Sequence, residues 1–261
     1  MWDTIIIKPF INLLLWIYML VGNFGVAIIL FTTLTRILLY PLTAKQIKSS
    51  QAMQELQKNK RYIEIQEKYK NDKEKLAQEQ MKLYQELKIS PLSSCLPTLI
   101  QFPIIIGLYQ ALIQSIASAP LDLLKLTRHL YPNFLDIPAL IPLNTHFLWM
   151  ELGQPERLFI PGINFGIPIL TIIVVITTYI SSKVISPPST PGANDQGAMM
   201  TKMMNLYMPV LMGWLAYSLS SGLALYFVIS NVIQILQYAI SGRIYWDNIL
   251  PKKKTTAIKK S

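Results

Sequence analysis

Arg36 is the residue whose type and setting most call for a chemical explanation. It is the only charge between Lys8 and Lys45, and its neighbours are almost all apolar. A guanidinium keeps its charge at every ordinary pH and offers five N–H donors. At membrane depth such a charge costs several kcal/mol unless water or a partner meets it. The long apolar runs contain no Asp or Glu, so no acid within them can neutralise it. Two readings follow. Arg36 lies six residues before Leu42, roughly 9 Å of helix, so its head could snorkel to the nearer surface as an anchor. Alternatively it is a working cation in a water-filled cavity.

Other polar residues bear on that choice. Thr32 sits one turn before Arg36. Gln101 and Gln114 fall in a second apolar run, Asn205 enters a later one, and Asn231, Gln234 and Gln237 lie in the last. Each alone reads as an interhelical hydrogen bond. Together with an unpaired arginine they favour a wet groove.

Catalytic signatures are missing. There is no Gly-rich phosphate loop with Lys and Ser/Thr, no HExxH and no Cys/His cluster. His129 and His146 stand 17 residues apart and read as loop or interface residues, since metal pairs keep tighter local spacing. Cys95 is the single cysteine, which excludes an internal disulfide and suits a small packing residue. Acid pairs inside the apolar runs are absent, so proton relays and membrane proteolysis lack candidates. The expectation is a non-enzyme with no metal and no cofactor.

The elements that must position these groups read as membrane helices. The chain is 52% hydrophobic over 261 residues, with a mean hydropathy of +0.36. Its apolar residues come in blocks. Runs of about 18 or more nearly charge-free residues read as spans, because about 20 helical residues cross the hydrocarbon core. Four regions qualify: 23–42, 95–118, 163–182 and 203–241. The last breaks at Ser220-Ser221-Gly222, giving spans 203–219 and 223–241. The expected fold is therefore an all-α integral membrane protein with five transmembrane helices.

Charge orients them. Of the net +10, segment 43–93 carries 11 Lys/Arg and the tail 242–261 carries 6. Loop 119–162 has only Lys125, Arg128 and Arg157, against Asp122, Asp136, Glu151 and Glu156. Basic loops stay inside, so the C-terminus is cytoplasmic and five spans leave the N-terminus outside. Residues 1–22 read as an interfacial amphipathic helix on the outer side. There Thr4, Lys8 and Asn12 recur every four residues, and Trp2, Trp16 and Tyr18 prefer interfaces. A sixth span over 2–21 would move the N-terminus inside.

Segment 43–90 is rich in Gln, Glu and Lys and almost free of Gly and Pro. It reads as a cytoplasmic helical hairpin broken once, at Asn71-Asp72. Loop 119–162 holds six prolines that exclude long helices. Segment 183–202 reads as a flexible cytoplasmic loop and 242–261 as a basic tail suited to ribosomal RNA or anionic lipid.

Several motifs then resemble a known family. The run Thr35-Arg36-Ile37-Leu38-Leu39-Tyr40-Pro41-Leu42 is similar to the first conserved span of the YidC family, which includes mitochondrial and chloroplast relatives. Ser90-Pro91-Leu92-Ser93-Ser94-Cys95-Leu96-Pro97, Gln101-Phe102-Pro103 and Leu108-Tyr109 resemble its second-span signature. Met208-Pro209, Ser221-Gly222-Leu223, Leu225-Tyr226 and Ser230-Asn231 resemble its last two spans. The resemblance covers about residues 20–245, in order.

It implies an insertase and chaperone that places membrane proteins in the bilayer through a positively charged hydrophilic groove, without nucleotide hydrolysis. Arg36 and Thr32 then fall on groove positions and Tyr226 on a client-contacting one. The next family position is often a second tyrosine and here is Phe227. Gln101 and Asn231 join the expected groove as polar span residues. The implied location is the cell (inner) membrane. The implied partners are nascent membrane proteins and the lipid bilayer, with the ribosome, the Sec translocon and the signal recognition particle pathway as further candidates.

Two rivals stand beside this reading. A transporter or channel would use Arg36 to coordinate an anionic solute and would often carry inverted repeats, of which the sequence has none discernible. A scaffold or assembly chaperone would need the hairpin and not Arg36.

Overall fold

The structure is a computed structural model that describes residues 2–57, 59–87, 96–116, 120–131, 143–158, 166–185 and 196–242. Cys95, parts of the two proline-rich loops and the basic tail beyond Gly242 lie outside the described residues. The molecule is mostly helical.

The chain opens with a π-helical turn, Asp3–Ile7, that runs directly into α1, Lys8–Val21. Pro9 has no N–H to give the preceding turn. The backbone widens there, and Lys8 N–H bonds the Asp3 carbonyl five residues back. The expected polar stripe does not stay together. Asn12 is buried. Its amide donates to the carbonyls of Lys8 (2.7 Å) and His129 (2.9 Å), and its oxygen accepts from Tyr131 N–H at 3.0 Å. It therefore fastens α1 to the segment that follows α7.

Asn23 caps α2, Phe24–Leu38, by accepting from the N–H groups of Gly25 and Val26. The helix stops at Leu38 rather than running on to Leu42, because Pro41 has no N–H to give the Ile37 carbonyl and the chain turns at Leu39. The chain restarts as α3, Tyr40–Gln57. Segment 43–90 differs from the sequence reading in a second way. It breaks at Asn59 as well as near Asp72, giving α4, Lys60–Lys68, and α5, Lys73–Glu86. Asn59 and Asp72 each cap the helix they precede, accepting from Arg61 N–H and Lys75 N–H. Helices α4 and α5 pack on a small core of Leu56, Tyr62 and Leu83, with Arg61 paired to Glu86 at 3.2 Å.

Helix α6, Leu96–Ser115, packs against α1 and α10. Loop 119–162 does contain a helix: α7, Pro120–His129, opens on its proline, where the missing N–H costs nothing. It also contains a small antiparallel hairpin of β1, His146–Phe147, and β2, Met150–Glu151, an addition to the expected all-α fold. The chain ends with α8, Ile169–Ile185, α9, Gln196–Ser218, and α10, Ser221–Ile240.

Among the described residues, Asp3–Val21 and Ser221–Ile240 are long and apolar enough to cross a membrane. The apolar helices Phe24–Leu38, Phe102–Ser115 and Ile169–Ile185 are shorter.

Residues 143–158 clasp one end of the bundle. Asn144 and Leu152 carbonyls accept from the N–H groups of Phe24 (3.1 Å) and Gly222 (3.0 Å), and the Gln154 carbonyl accepts from Ser221 N–H (2.8 Å). Buried Glu156 accepts from Leu170 N–H at 3.0 Å and from Trp149 Nε1 at 2.9 Å. The starts of α2, α8 and α10 leave N–H groups without helical partners, and the clasp satisfies one or more of each. The approach is close. A Cβ on Gly222 would lie 3.1 Å from the Leu152 carbonyl oxygen, and one on Gly25 would run into the Phe147 ring. Beneath the clasp, Phe24, Ile28, Phe31, Leu108, Leu112 and Leu223 form the centre of the core. Helices α2, α8 and α10 thus run parallel away from the clasp, and α9 returns against α8 and α10.

Candidate functional site

Arg36 stands at the far end of this parallel set, in the last turn of α2. The threonines before it do not reach across to other helices. Thr32 is fully buried and donates to the Ile28 carbonyl at 2.6 Å, while Thr33 and Thr35 bond the carbonyls of Ile29 and Phe31. These hydroxyls are spent on their own helix.

The arginine itself is half-buried and faces α10. Its Nε donates to Ser230 Oγ at 3.0 Å, and its Nη2 donates to the same oxygen. Its carbonyl, one of those the end of α2 leaves unpaired, accepts from Gln237 Nε2 at 3.1 Å. Ser230 and Gln237 are seven residues apart, so both lie on one face of α10. Tyr226 lies one turn before Ser230. It is buried in the core, its ring 5.8 Å from that of Phe227.

Asn231 is one position further round α10 and turns to α8. Its amide donates to Thr178 Oγ1 at 2.8 Å and to Thr177 Oγ1 at 3.2 Å. The Gln101 side chain lies outside the described residues. Among the described residues Gln114 Oε1 and Gln237 Oε1 are buried without a protein partner. Arg36, Ser230 and Gln237 therefore come together. Thr32 and Tyr226 line the same contact one turn nearer the clasp, and Asn231 holds the neighbouring helix.

Arg36 occupies its site without a charged partner among the described residues: the end of α2 offers the partial negative charge of a helix C-terminus, and its guanidinium reaches the middle of α10 at Ser230. Arg36 occupies the last turn of α2 and Lys183 the last turn of α8. Among the described residues Arg36 makes no ion pair, and its side chain donates to the Ser230 hydroxyl. The two histidines are elsewhere. His129 Nε2 pairs with Asp3 at 2.9 Å and His146 Nε2 with Glu151 at 3.1 Å. No group of three or more potential metal ligands occurs among the described residues.

Sequence reasoning passed over Ser230 as a site residue. Its signal was available: Ser230 follows Tyr226 by four residues and precedes Gln237 by seven, which puts all three on one face of a helix that also carries Asn231 and Gln234.

Fold and site together define a helical membrane protein with an arginine in its bundle that makes no ion pair among the described residues. Residues 16–247 match the family model described as "60Kd inner membrane protein". The chain belongs to this family, that of the YidC membrane protein insertases. It is 33% identical over 264 residues to the insertase YidC of Clostridium perfringens, covering 95% of this chain and 94% of that one. It is 36% identical to YidC 2 of Listeria innocua, over 90% of this chain and 70% of the relative. The YidC of Syntrophobacter fumaroxidans is 35% identical, but there the chain spans only 38% of the relative's length. A crystal structure of an active YidC insertase with its first transmembrane domain resolved superposes with a TM-score of 0.57 at 25% identity, covering 94% of this chain and 47% of that one. These relatives are insertases, and the chain is not an enzyme in the catalytic sense.

Proposed function

We propose that this chain inserts membrane proteins into the bilayer and assists their folding, with Arg36 as its client-facing charge. One observation carries the reading: Arg36 is half-buried, and neutral Ser230 is its side-chain partner among the described residues. An arginine held this way keeps most of its charge available for an incoming acidic or polar segment.

In this reading α2, α6, α8, α9 and α10 cross the membrane, and α1 lies in the outer interface. The clasp is outside, and α4 with α5 forms a cytoplasmic hairpin that guides clients. The basic stretch 43–93 supports that orientation. The N-terminus is then outside and the tail inside, where it meets ribosomal RNA or anionic lipid. Arg36 and Gln101 belong to a hydrated groove, Thr32 and Tyr226 back it from the core, and Asn231 fixes its α8 wall.

Water in the groove shortens the apolar barrier for the client's polar end. The client's helix then partitions into lipid, each central Leu or Ile contributing about 0.3–0.6 kcal/mol. Over a whole span that suffices without nucleotide. The ribosome, the Sec translocon and the signal recognition particle pathway are candidate partners for delivery. The relatives' names do not favour the solute-transporter alternative.

The test is insertion of a single-span client with an acidic N-terminal tail into vesicles holding the purified protein and no nucleotide. Arg36→Ala should lower insertion by about tenfold or more, the scale of a lost charged hydrogen bond. Undiminished insertion by that variant rejects Arg36 as the working group.

A further inference from the structure

We infer that Ser230 is a positioning residue that presents one edge of the Arg36 guanidinium to a carboxylate. The inference rests on the insertase reading and adds to it the geometry in which the client's acid is received.

A guanidinium offers two donor forks. One is the side fork of Nε–H with the nearer N–H of Nη2. The other is the end fork of Nη1–H with the second N–H of Nη2. Ser230 Oγ accepts from both Nε and Nη2 and so occupies the side fork with a single oxygen. Among the described residues Nη1 has no hydrogen-bond partner. The end fork is therefore the one left for a ligand. Two parallel N–H groups match the two oxygens of a carboxylate, the strongest arrangement a guanidinium makes.

Ser230 suits this task. It is buried, at 4% exposure, on a helix held by bonds on both sides. Asn231 ties that helix to α8, and Gln237 ties it to the Arg36 carbonyl. A hydroxyl adds no charge, so the arginine is oriented without being neutralised, as an Asp at the same position would neutralise it. Fixing χ angles before the client arrives removes an ordering cost from binding. It also sets a preference: a planar acid gains two bonds, whereas an uncharged Asn tail can accept only through its one oxygen.

The experiment measures insertion of two clients that differ in a single tail residue, Asp against Asn, by the whole protein in vesicles. The variants are Ser230→Ala, Ser230→Thr, Arg36→Lys and Arg36→Ala, each checked for folded yield and thermal midpoint. Ser230→Ala should keep its fold and lose about tenfold of its Asp-over-Asn preference, the scale of a hydrogen bond to a charged group. Ser230→Thr should restore that preference, because it returns the hydroxyl. Arg36→Lys, with charge but no fork, should show the same lost preference. An unchanged ratio in Ser230→Ala overturns the inference, and so does a ratio that Ser230→Thr fails to restore while both variants fold. Loss of the Asp client's insertion in Arg36→Ala, with either of those results, leaves the insertase reading standing. No effect of Arg36→Ala removes the parent reading first.

Discussion

Gln237 on α10 donates from Nε2 to the backbone carbonyl of Arg36, 3.1 Å away, at the level where α2 ends. Side-chain capping of a helix end by a neighbouring helix joins the two elements at the functional charge. Replacing Gln237 with Leu leaves that carbonyl unpaired in a half-buried setting. The expected cost is about 1–3 kcal/mol of stability. Thermal unfolding in detergent should register it, and a midpoint equal to the parent's would show that water replaces the amide at no cost.

Glu156 is a buried carboxylate with two assigned tasks. It accepts from Leu170 N–H at the start of α8 and from Trp149 Nε1 in the clasp. Glu156→Ala removes both acceptors at once. We expect a loss of about 1–3 kcal/mol and a change in tryptophan emission as the Trp149 indole loses its acceptor. Emission identical to the parent's would mean that Trp149 does not depend on Glu156.

Gly222 starts α10 against the clasp backbone, where a Cβ would lie 3.1 Å from the Leu152 carbonyl oxygen. Backbone gives less than a side chain does. Gly222→Val should push the clasp off the helix ends, at about 1–3 kcal/mol. Limited proteolysis should then cut within 143–158 faster than in the parent. Equal cutting rates would place the slack elsewhere.

Asn231 bridges α10 to Thr177 and Thr178 of α8. Hydrogen bonds between helices in membranes average about 0.6 kcal/mol. Asn231→Ala should therefore lower stability mildly, by about 0.6–1.7 kcal/mol, measured by unfolding in mixed micelles. A loss several times larger would assign Asn231 more than a bridging role.

Much of this was legible in the residues themselves. The mostly helical membrane character and the family follow from blocked hydropathy and ordered motifs. Arg36 stood out because charge in an apolar run is costly and therefore rare. Its place in the last turn of α2 was harder to read, since residues 23–42 are evenly apolar. Only Pro41, which lacks the N–H that would continue the ladder, marks the stop at Leu38.

The break at Asn59 was hidden among strong helix formers. It pays only when Leu56 can fold back on Tyr62 and Leu83, a tertiary event. The burial of Asn12 was hidden for a similar reason. A four-residue period gives a face, and only packing tells whether that face meets headgroups or protein. The clasp left almost no trace, because its strands are two residues long and most of its hydrogen bonds use backbone groups.

The clasp gathers the starts of α2, α8 and α10 under one set of backbone bonds, while further along Ser230 and Gln237 bond α10 to α2 and Asn231 bonds it to α8. Such a bundle behaves as a clothes-peg. The sprung end is shut, and a small rotation there spreads the jaws most at the tips. Arg36 lies twelve residues from the pin at Phe24, about 18 Å along the helix. A tilt of only a few degrees, too little to break a bond at the pin, would swing the arginine by an ångström or more. The charge has been set where the lever is longest.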